Sequence, residues 1–506
     1  MNKILIRYER KMNKKILNQI VILTLCNVLT YSLFFFYRVF ISRRIGSVGM
    51  GLYTFGMTLY YLFYSISSGG ILTAISKYIA ENCYTVGLKE KVVFVLSKIL
   101  FLWSIMIAIL FWILNPFFCD FVFTTPQLKH LVYPLIACVV VVTQSAILKG
   151  FFYGIQNPTP PALAEVFENI VRLSITCPIF LTVSTSSSLD TKLLLSFLGI
   201  LIGEISSLSF LWISYKFKYK NPQILINLSD IAEISSNVFK VSIPLATASV
   251  VGMIFQSFEN MIIPKTFEII GNTKSQAISI YGIINGMSFP AATLPLVIIN
   301  SLSIIIVPTI SETKINTKAL NSRINSFLLL TIAISLPVTC IFLLFPTQIC
   351  NLLYKNSQAG VYLKHIAPAI VFYYLSVVLS SLLNALDKAN FNFILNTVLT
   401  AARLIAYIPT ILLFKSEISY IWISNIFALI SCIIMIEKIS NLEFEFIIEK
   451  RIIFLIFQFA VVCLLIFTIL IFLNITSMQV FIILFLSGYS LLSYFIFLYQ
   501  KRRKEK

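Results

Sequence analysis

The sequence predicts an all-α polytopic membrane protein of about 14 transmembrane helices. The helices are expected as two pseudo-symmetric six-helix lobes followed by two C-terminal helices. Three observations carry this. Hydrophobic residues make up 58% of the 506-residue chain and charged residues 12%. Apolar runs of about 20 residues, the length that crosses a ~30 Å hydrocarbon core, recur from end to end. No stretch between them is long enough to fold alone. In lipid every backbone polar group must pair within its own segment, so the spans are expected to be helices.

Taken in order, a basic segment 1–15 precedes spans near 16–40, 51–76, 92–114, 131–153, 164–183 and 191–215, the N-lobe of residues 16–215. The basic linker 216–237 leads to the C-lobe, 238–436. Its spans lie near 238–262, 278–307, 323–346, 364–385, 392–414 and 418–436. A charged loop from 437 precedes two further spans near 453–474 and 478–499, and 500–506 is a basic tail. The first span is too long for a signal-peptide core and no small-residue cleavage site follows it. It reads as an uncleaved span.

Charge orients the chain. Lys3, Arg7, Arg10, Lys11, Lys14 and Lys15 begin it; Lys501, Arg502, Arg503, Lys504 and Lys506 end it. With both termini cytoplasmic, about 25 of the Lys and Arg residues fall inside and about 9 outside, as the positive-inside rule expects. The net charge of +19 then reflects topology in a cytoplasmic membrane and attraction to anionic membrane lipids. No basic domain exists to carry nucleic-acid binding.

Several chemistries are missing. The nine cysteines are scattered without a C-x-x-C pair, and the only histidines are His130 and His365. No metal site or histidine-based triad is expected. No G-x-x-x-x-G-K-[ST] loop is present. The reading is a carrier without a cofactor rather than an enzyme.

Function is then sought in the polar residues inside the spans. Arg38, in the first span, either snorkels to the interface or meets a substrate. Arg43 and Arg44 follow it by about one turn. Glu168 and Arg172 are spaced i, i+4 and can pair on one helix face, as a structural brace or in the transport pathway. Glu165 stands beside them. Glu204, Glu259 and Arg403 are further pathway candidates. A weak internal repeat relates 147–173 (ILKGFFYGIQNPTPPALAEVFENIVRL) to 378–404 (VLSSLLNALDKANFNFILNTVLTAARL), with Arg172 and Arg403 at one offset. Parallel repeats of this kind bind substrate between lobes.

Four stretches carry a family resemblance: ISRRIGSVGMGLYTF (41–55), AISKYIAE (74–81), GFFYGIQNPTPPALAEVFENIVRL (150–173) and LPLVIINSLSIIIVPTISE (294–312). In this order they resemble the stage V sporulation protein B-like branch of the oligosaccharide flippase family. That family lies in the MATE-like (MOP) superfamily, which includes the lipid II flippase MurJ. The resemblance implies two lobes around a central cavity, alternating access, and a lipid-linked saccharide or peptidoglycan precursor as cargo, in cell-wall or spore-cortex synthesis. It matches Arg38 to a cavity arginine that meets the substrate, and Glu168 and Arg172 to an E-x-x-x-R pair. Thr30-Tyr31 stands where the family often shows Thr-Arg, so one cation that could meet a pyrophosphate is missing. That leaves open a lipid-linked glycan other than lipid II. A multidrug or organic-cation antiporter of the same superfamily is the alternative. A membrane-embedded glycan polymerase fits less well, because the expected outer loops are short.

Overall fold

The computed structural model describes residues 2–82, 88–183, 187–218, 227–300, 303, 306, 310 and 317–441. The described residues are helical and contain no strand. The protein is a multi-pass membrane protein: nine described helical stretches are long and apolar enough to cross a bilayer. The spans expected near 453–474 and 478–499 lie outside the described residues, as do the tail 500–506 and parts of both charged links.

The chain opens with α1 (Asn2–Ser68). At 1.5 Å per residue, its stretch from Ile22 through α2 (Ile71–Glu81) is about 90 Å long, far more than one bilayer. Gly46 resolves this. Its backbone (φ 72°, ψ −171°) is non-helical inside the continuous run, a conformation that costs glycine little. The link expected at 41–50 is therefore a one-residue hinge between two helical passes. A second break falls at Gly69–Gly70, ahead of α2.

The next helices are α3 (Leu88–Phe117), the short α4 (Leu128–Leu131), α5 (Tyr133–Gly154), α6 (Thr159–Thr182) and α7 (Leu189–Lys218). Pro160 and Pro161 sit in the first turn of α6, where the missing N–H groups are unpaired in any helix. The 42-residue α8 (Leu228–Ile269) carries Pro244 and Pro264 inside it. Then α9 (Lys274–Ile283) runs through a π-helical turn, 284–288, into α10 (Phe289–Thr293). Beyond lie α11 (Thr317–Leu344), α12 (Pro346–Tyr354), α13 (Ser357–Ile366), α14 (Ile370–Ala385), α15 (Ala389–Phe414) and α16 (Ile418–Ser440). The helices outrun the apolar runs at several ends, because hydrogen bonding continues past the hydrocarbon edge. The span expected at 364–385 is interrupted by a 3₁₀ turn at 367–369 around Pro368.

The chain forms two compact units. Unit 1 comprises Met1–Pro290 and Thr400–Tyr420; unit 2 comprises Ala291–Leu399 and the described residues from Ile421 onward. In unit 1, α6 packs on α7 and α1, α5 packs on α7, α2 and α3, and α9 packs on α1. One apolar cluster joins Ile71, Ile75 and Ile79 of α2 to Leu96 and Leu100 of α3, Phe151 and Phe152 of α5, and Leu211 of α7. In unit 2, α12 packs on α13 and α11 on α14. There Tyr374 donates to the Ala292 carbonyl at 2.8 Å, and Asn425 donates to the His365 carbonyl at 2.7 Å.

The α1–α9 contact depends on two facing glycines. A Cβ on Gly51 would collide with the Ile278 carbonyl, and one on Gly282 with the Ser47 carbonyl and the Gly51 backbone. Lipid gives no hydrophobic drive between helices, so such close backbone packing has to hold them. Gly282→Ala is expected to lower the melting temperature of the detergent-purified protein, consistent with overpacking of about 1–3 kcal/mol. Gly252→Ala, where an added Cβ meets nothing within 4 Å, should leave the melting temperature unchanged.

Candidate functional site

A cavity of about 370 Å³ opens within unit 1 between α1, α5, α6 and α7. Its size lies at the lower end of small-ligand pockets. Three carboxylates (Glu165, Glu168, Glu204) and two cations (Lys149, Arg172) line it, among Tyr31, Tyr60, Tyr61 and Tyr64. The charges are arranged in pairs. Arg172 Nη2 meets Glu168 Oε1 at 2.5 Å, the side chains being 4% and 11% exposed. Arg172 Nη1 donates to Asn169 Oδ1 at 3.2 Å. The guanidinium also lies over the Tyr37 and Phe34 rings, 5.5 and 5.9 Å from their centroids. α7 reaches this pair through Gly203, whose Cβ would fall 2.9 Å from Arg172 Nε. Lys149 of α5 pairs with Glu165 at 3.0 Å. Glu204 is held differently: it accepts from the Tyr60 hydroxyl at 3.3 Å.

A second polar cluster of unit 1 surrounds Glu259 on α8, which is 5% exposed. Arg403 of α15 donates to its Oε2 at 3.1 Å, and Tyr420 of α16 to its Oε1 at 2.7 Å. Tyr420 Oη is also 3.1 Å from the Asn285 side chain. A hydroxyl has one proton, and Asn285 Nδ2 has no partner. Turning that amide lets Nδ2 donate to Tyr420 while Tyr420 donates to Glu259. Next to them Tyr281 donates to Asn260, which donates to Thr58.

Arg38 meets backbone. Its Nε donates to the Gly286 carbonyl at 3.1 Å and its Nη2 to the Asn285 carbonyl at 2.9 Å. Both carbonyls lie in the π-helical turn. An α-helical bond to Gly286 and a π-helical bond to Asn285 would each come from residue 290. That residue is proline, which has no N–H. Arg38 donates to both carbonyls, where Pro290 has no N–H to offer. Arg43 is exposed and Arg44 half-buried, in the last turn before the Gly46 hinge; the Arg44 guanidinium lies 5.6 Å from the Phe40 ring centroid.

Comparison with known proteins fits this architecture. Residues 16–314 match the model of the family described as polysaccharide biosynthesis protein. The chain belongs to that family. Within the polysaccharide biosynthesis family it is similar to stage V sporulation protein B of Bacillus subtilis (strain 168), with 28% identity over 73% of this chain and 72% of the relative. Its fold is that of a solved structure of the lipid II flippase MurJ in an inward closed conformation. The TM-score is 0.73 at 16% identity, covering 94% of this chain and 99% of that one. It also resembles an inward-facing MATE family multidrug resistance transporter of the MOP superfamily. There the TM-score is 0.65 at 15% identity, over 82% of this chain and 95% of that one.

The structure thus brings Glu168, Arg172 and Glu204 to one cavity, and joins Glu259 to Arg403 elsewhere in unit 1. Sequence reasoning missed Lys149, Tyr420 and Asn285 as partners. Lys149 and Glu165 flank the proline-rich turn between α5 and α6, so their closeness had a local signal. The Glu259–Arg403 pair spans 144 residues and had none.

Two expected outcomes follow from these contacts. Arg38→Ala should lower thermal stability, because two part-buried carbonyls lose a donor, at roughly 0.5–1.5 kcal/mol each. In a Pro290→Ala background residue 290 regains an N–H, so the same change should cost less. Equal losses in both backgrounds would refute the exchange of donors. For the ion pair, Glu168→Gln and Arg172→Gln should each be strongly destabilising, on the order of 3–5 kcal/mol for breaking a buried pair. The double variant should lose less than the sum, by about 0.5–3 kcal/mol. Additive melting shifts would show that the two do not act together.

Proposed function

We propose that this member of the polysaccharide biosynthesis family is a flippase. It moves a lipid-linked oligosaccharide or peptidoglycan precursor across the cytoplasmic membrane by alternating access, in cell-wall or spore-cortex synthesis. The observation that carries the reading is the family match over 16–314. The relative named for stage V of sporulation and the fold shared with a lipid II flippase point the same way. Both termini lie in the cytoplasm in this proposal, where the basic flanks place them. The N-lobe is 16–215 and the C-lobe 238–436, with two helices appended.

The physics is consistent with the task. A polar saccharide pyrophosphate cannot enter hydrocarbon unaided. A protein cavity can shelter the head while the lipid tail stays in the bilayer. In this proposal Arg43 and Arg44, at the hinge end of the first pass, meet the anionic head group, since the guanidinium fork matches phosphate oxygens. The Arg38 guanidinium already serves two carbonyls, so its part is to hold α1 against the π-turn beside that route. Glu168 and Arg172 brace the cavity wall. Glu204, Glu259 and Arg403 lie along the pathway. In this proposal the membrane potential, worth about 2.3 kcal/mol per charge per 100 mV, is the driving force.

A second reading is an organic-cation antiporter. One observation favours it: the cavity holds three carboxylates against two cations. Sealed proteoliposomes separate the two. Translocation of a fluorescent lipid-linked disaccharide is expected without ATP, because no phosphate-binding loop is present in the sequence. Strict dependence on added ATP would contradict the flippase reading. So would efflux of tetraphenylphosphonium with no movement of the lipid-linked sugar.

A further inference from the structure

We propose that a second groove of unit 1, between α3, α5 and α7, is a binding site for an anionic phospholipid with hydroxyl groups in its head, phosphatidylglycerol being the type. It shares no lining residue with the carboxylate-lined cavity, and it does not depend on what that cavity carries.

The groove holds about 760 Å³. Its lining comes from residues 90–97 of α3, 144–148 of α5 and 208–215 of α7. α3 starts at Leu88, α5 stops at Gly154 and α7 stops at Lys218. Every lining residue therefore lies within about ten residues of one of these ends. At 1.5 Å per residue that is about 15 Å, half of a ~30 Å hydrocarbon core. The groove is one leaflet deep, and the leaflet is the cytoplasmic one in the orientation proposed above. Phe94, Ser209, Trp212 and Ile213 line it and are exposed, so it opens sideways to lipid.

Its floor is Val93, Ile147, Leu148 and Leu208. The polar groups beside this floor are already engaged. Ser97 donates to the Phe94 carbonyl at 3.0 Å, Ser209 to the Ile205 carbonyl at 2.8 Å, and Gln144 to the Ser97 carbonyl at 3.4 Å. An acyl chain laid over them strands neither hydroxyl.

The charges at the mouth are not engaged in this way. Lys98 Nζ lies 4.1 Å from the Phe94 ring centroid and Lys216 Nζ 4.8 Å from that of Trp212, and both rings line the groove. Among the described residues neither lysine has an acidic partner, and Glu90, on the lining, has no basic one. Lys91 beside it is committed to Asp230 at 2.7 Å. The ring faces hold both ammonium groups at the lip, and Lys98 reaches back one turn toward the helix end, as a lysine does to meet the headgroup region. Snorkelling alone would account for the two lysines, but not for an open groove beside both. Two cations against one carboxylate match a lipid of single negative charge. Its phosphate meets the lysines, and its head hydroxyls donate to Glu90. A choline head has no O–H or N–H to offer that carboxylate. An ethanolamine head has, but it leaves the lipid neutral and sets an ammonium beside two lysines.

The test uses the full-length protein in detergent and native mass spectrometry. Phosphatidylglycerol, phosphatidylethanolamine and phosphatidylcholine of matched chains are added in turn. Phosphatidylglycerol should be retained at the lowest concentration and should raise the melting temperature, as a ligand of the folded state does. Lys98→Ala and Lys216→Ala should each weaken its retention about fivefold, the scale of one lysine near an anionic lipid surface. Both side chains are exposed, so the melting temperature without added lipid should not change. Ser209→Trp, which fills the groove, should remove retention of all three lipids. Lys77→Ala, outside the groove, should change nothing. Failure to retain phosphatidylglycerol, equal retention of the three lipids, an equal loss on Lys77→Ala, or retention that survives Ser209→Trp would each overturn the assignment. So would displacement of phosphatidylglycerol by an equimolar long-chain polyprenyl phosphate, which would give the groove to a carrier lipid instead.

Discussion

A charge in hydrocarbon has to be neutralised by the protein that carries it, and unit 1 is organised around that constraint. At the centre of a span an unpaired charge costs about 2.5–3.5 kcal/mol even on insertion scales. The unit meets this three ways. Glu168 and Arg172 pair within one helix. Lys149 and Glu165 pair across one turn of the chain. Glu259 and Arg403 pair across 144 residues, with Tyr420 completing the carboxylate. The last arrangement ties α8 to α15 and α16, so residues 400–420 belong with unit 1 despite their distance in sequence. Electrostatic pairing and tertiary connection are one event there.

The same reasoning covers uncharged groups. Pro290 has no N–H to offer the Asn285 and Gly286 carbonyls of the π-turn. Arg38 fills the gap from α1, and the facing glycines Gly51 and Gly282 bring the two backbones close enough for it to do so. An arginine suits this because Nε and Nη2 donate side by side, matching two consecutive carbonyls. A lysine would carry the charge without the spacing.

How much of this was legible in the sequence depended on distance along the chain. Apolar runs are local, so they located most helices of the described region, although α1 and α8 begin well before the expected spans and the expected 278–307 is broken by the π-turn. The i, i+4 spacing of Glu168 and Arg172 is local too, and their pairing could be read from it. The hinge at Gly46 hid inside an expected loop, because ISRRIGSVGMG looks like a polar link although only one residue leaves the helix. Arg38 could not be understood without Gly286, 248 residues away. Likewise Glu259 and Arg403, flagged separately as intramembrane charges, gained meaning only when the fold joined them. Periodicity reports which face of a helix is buried. It does not report which distant helix covers that face.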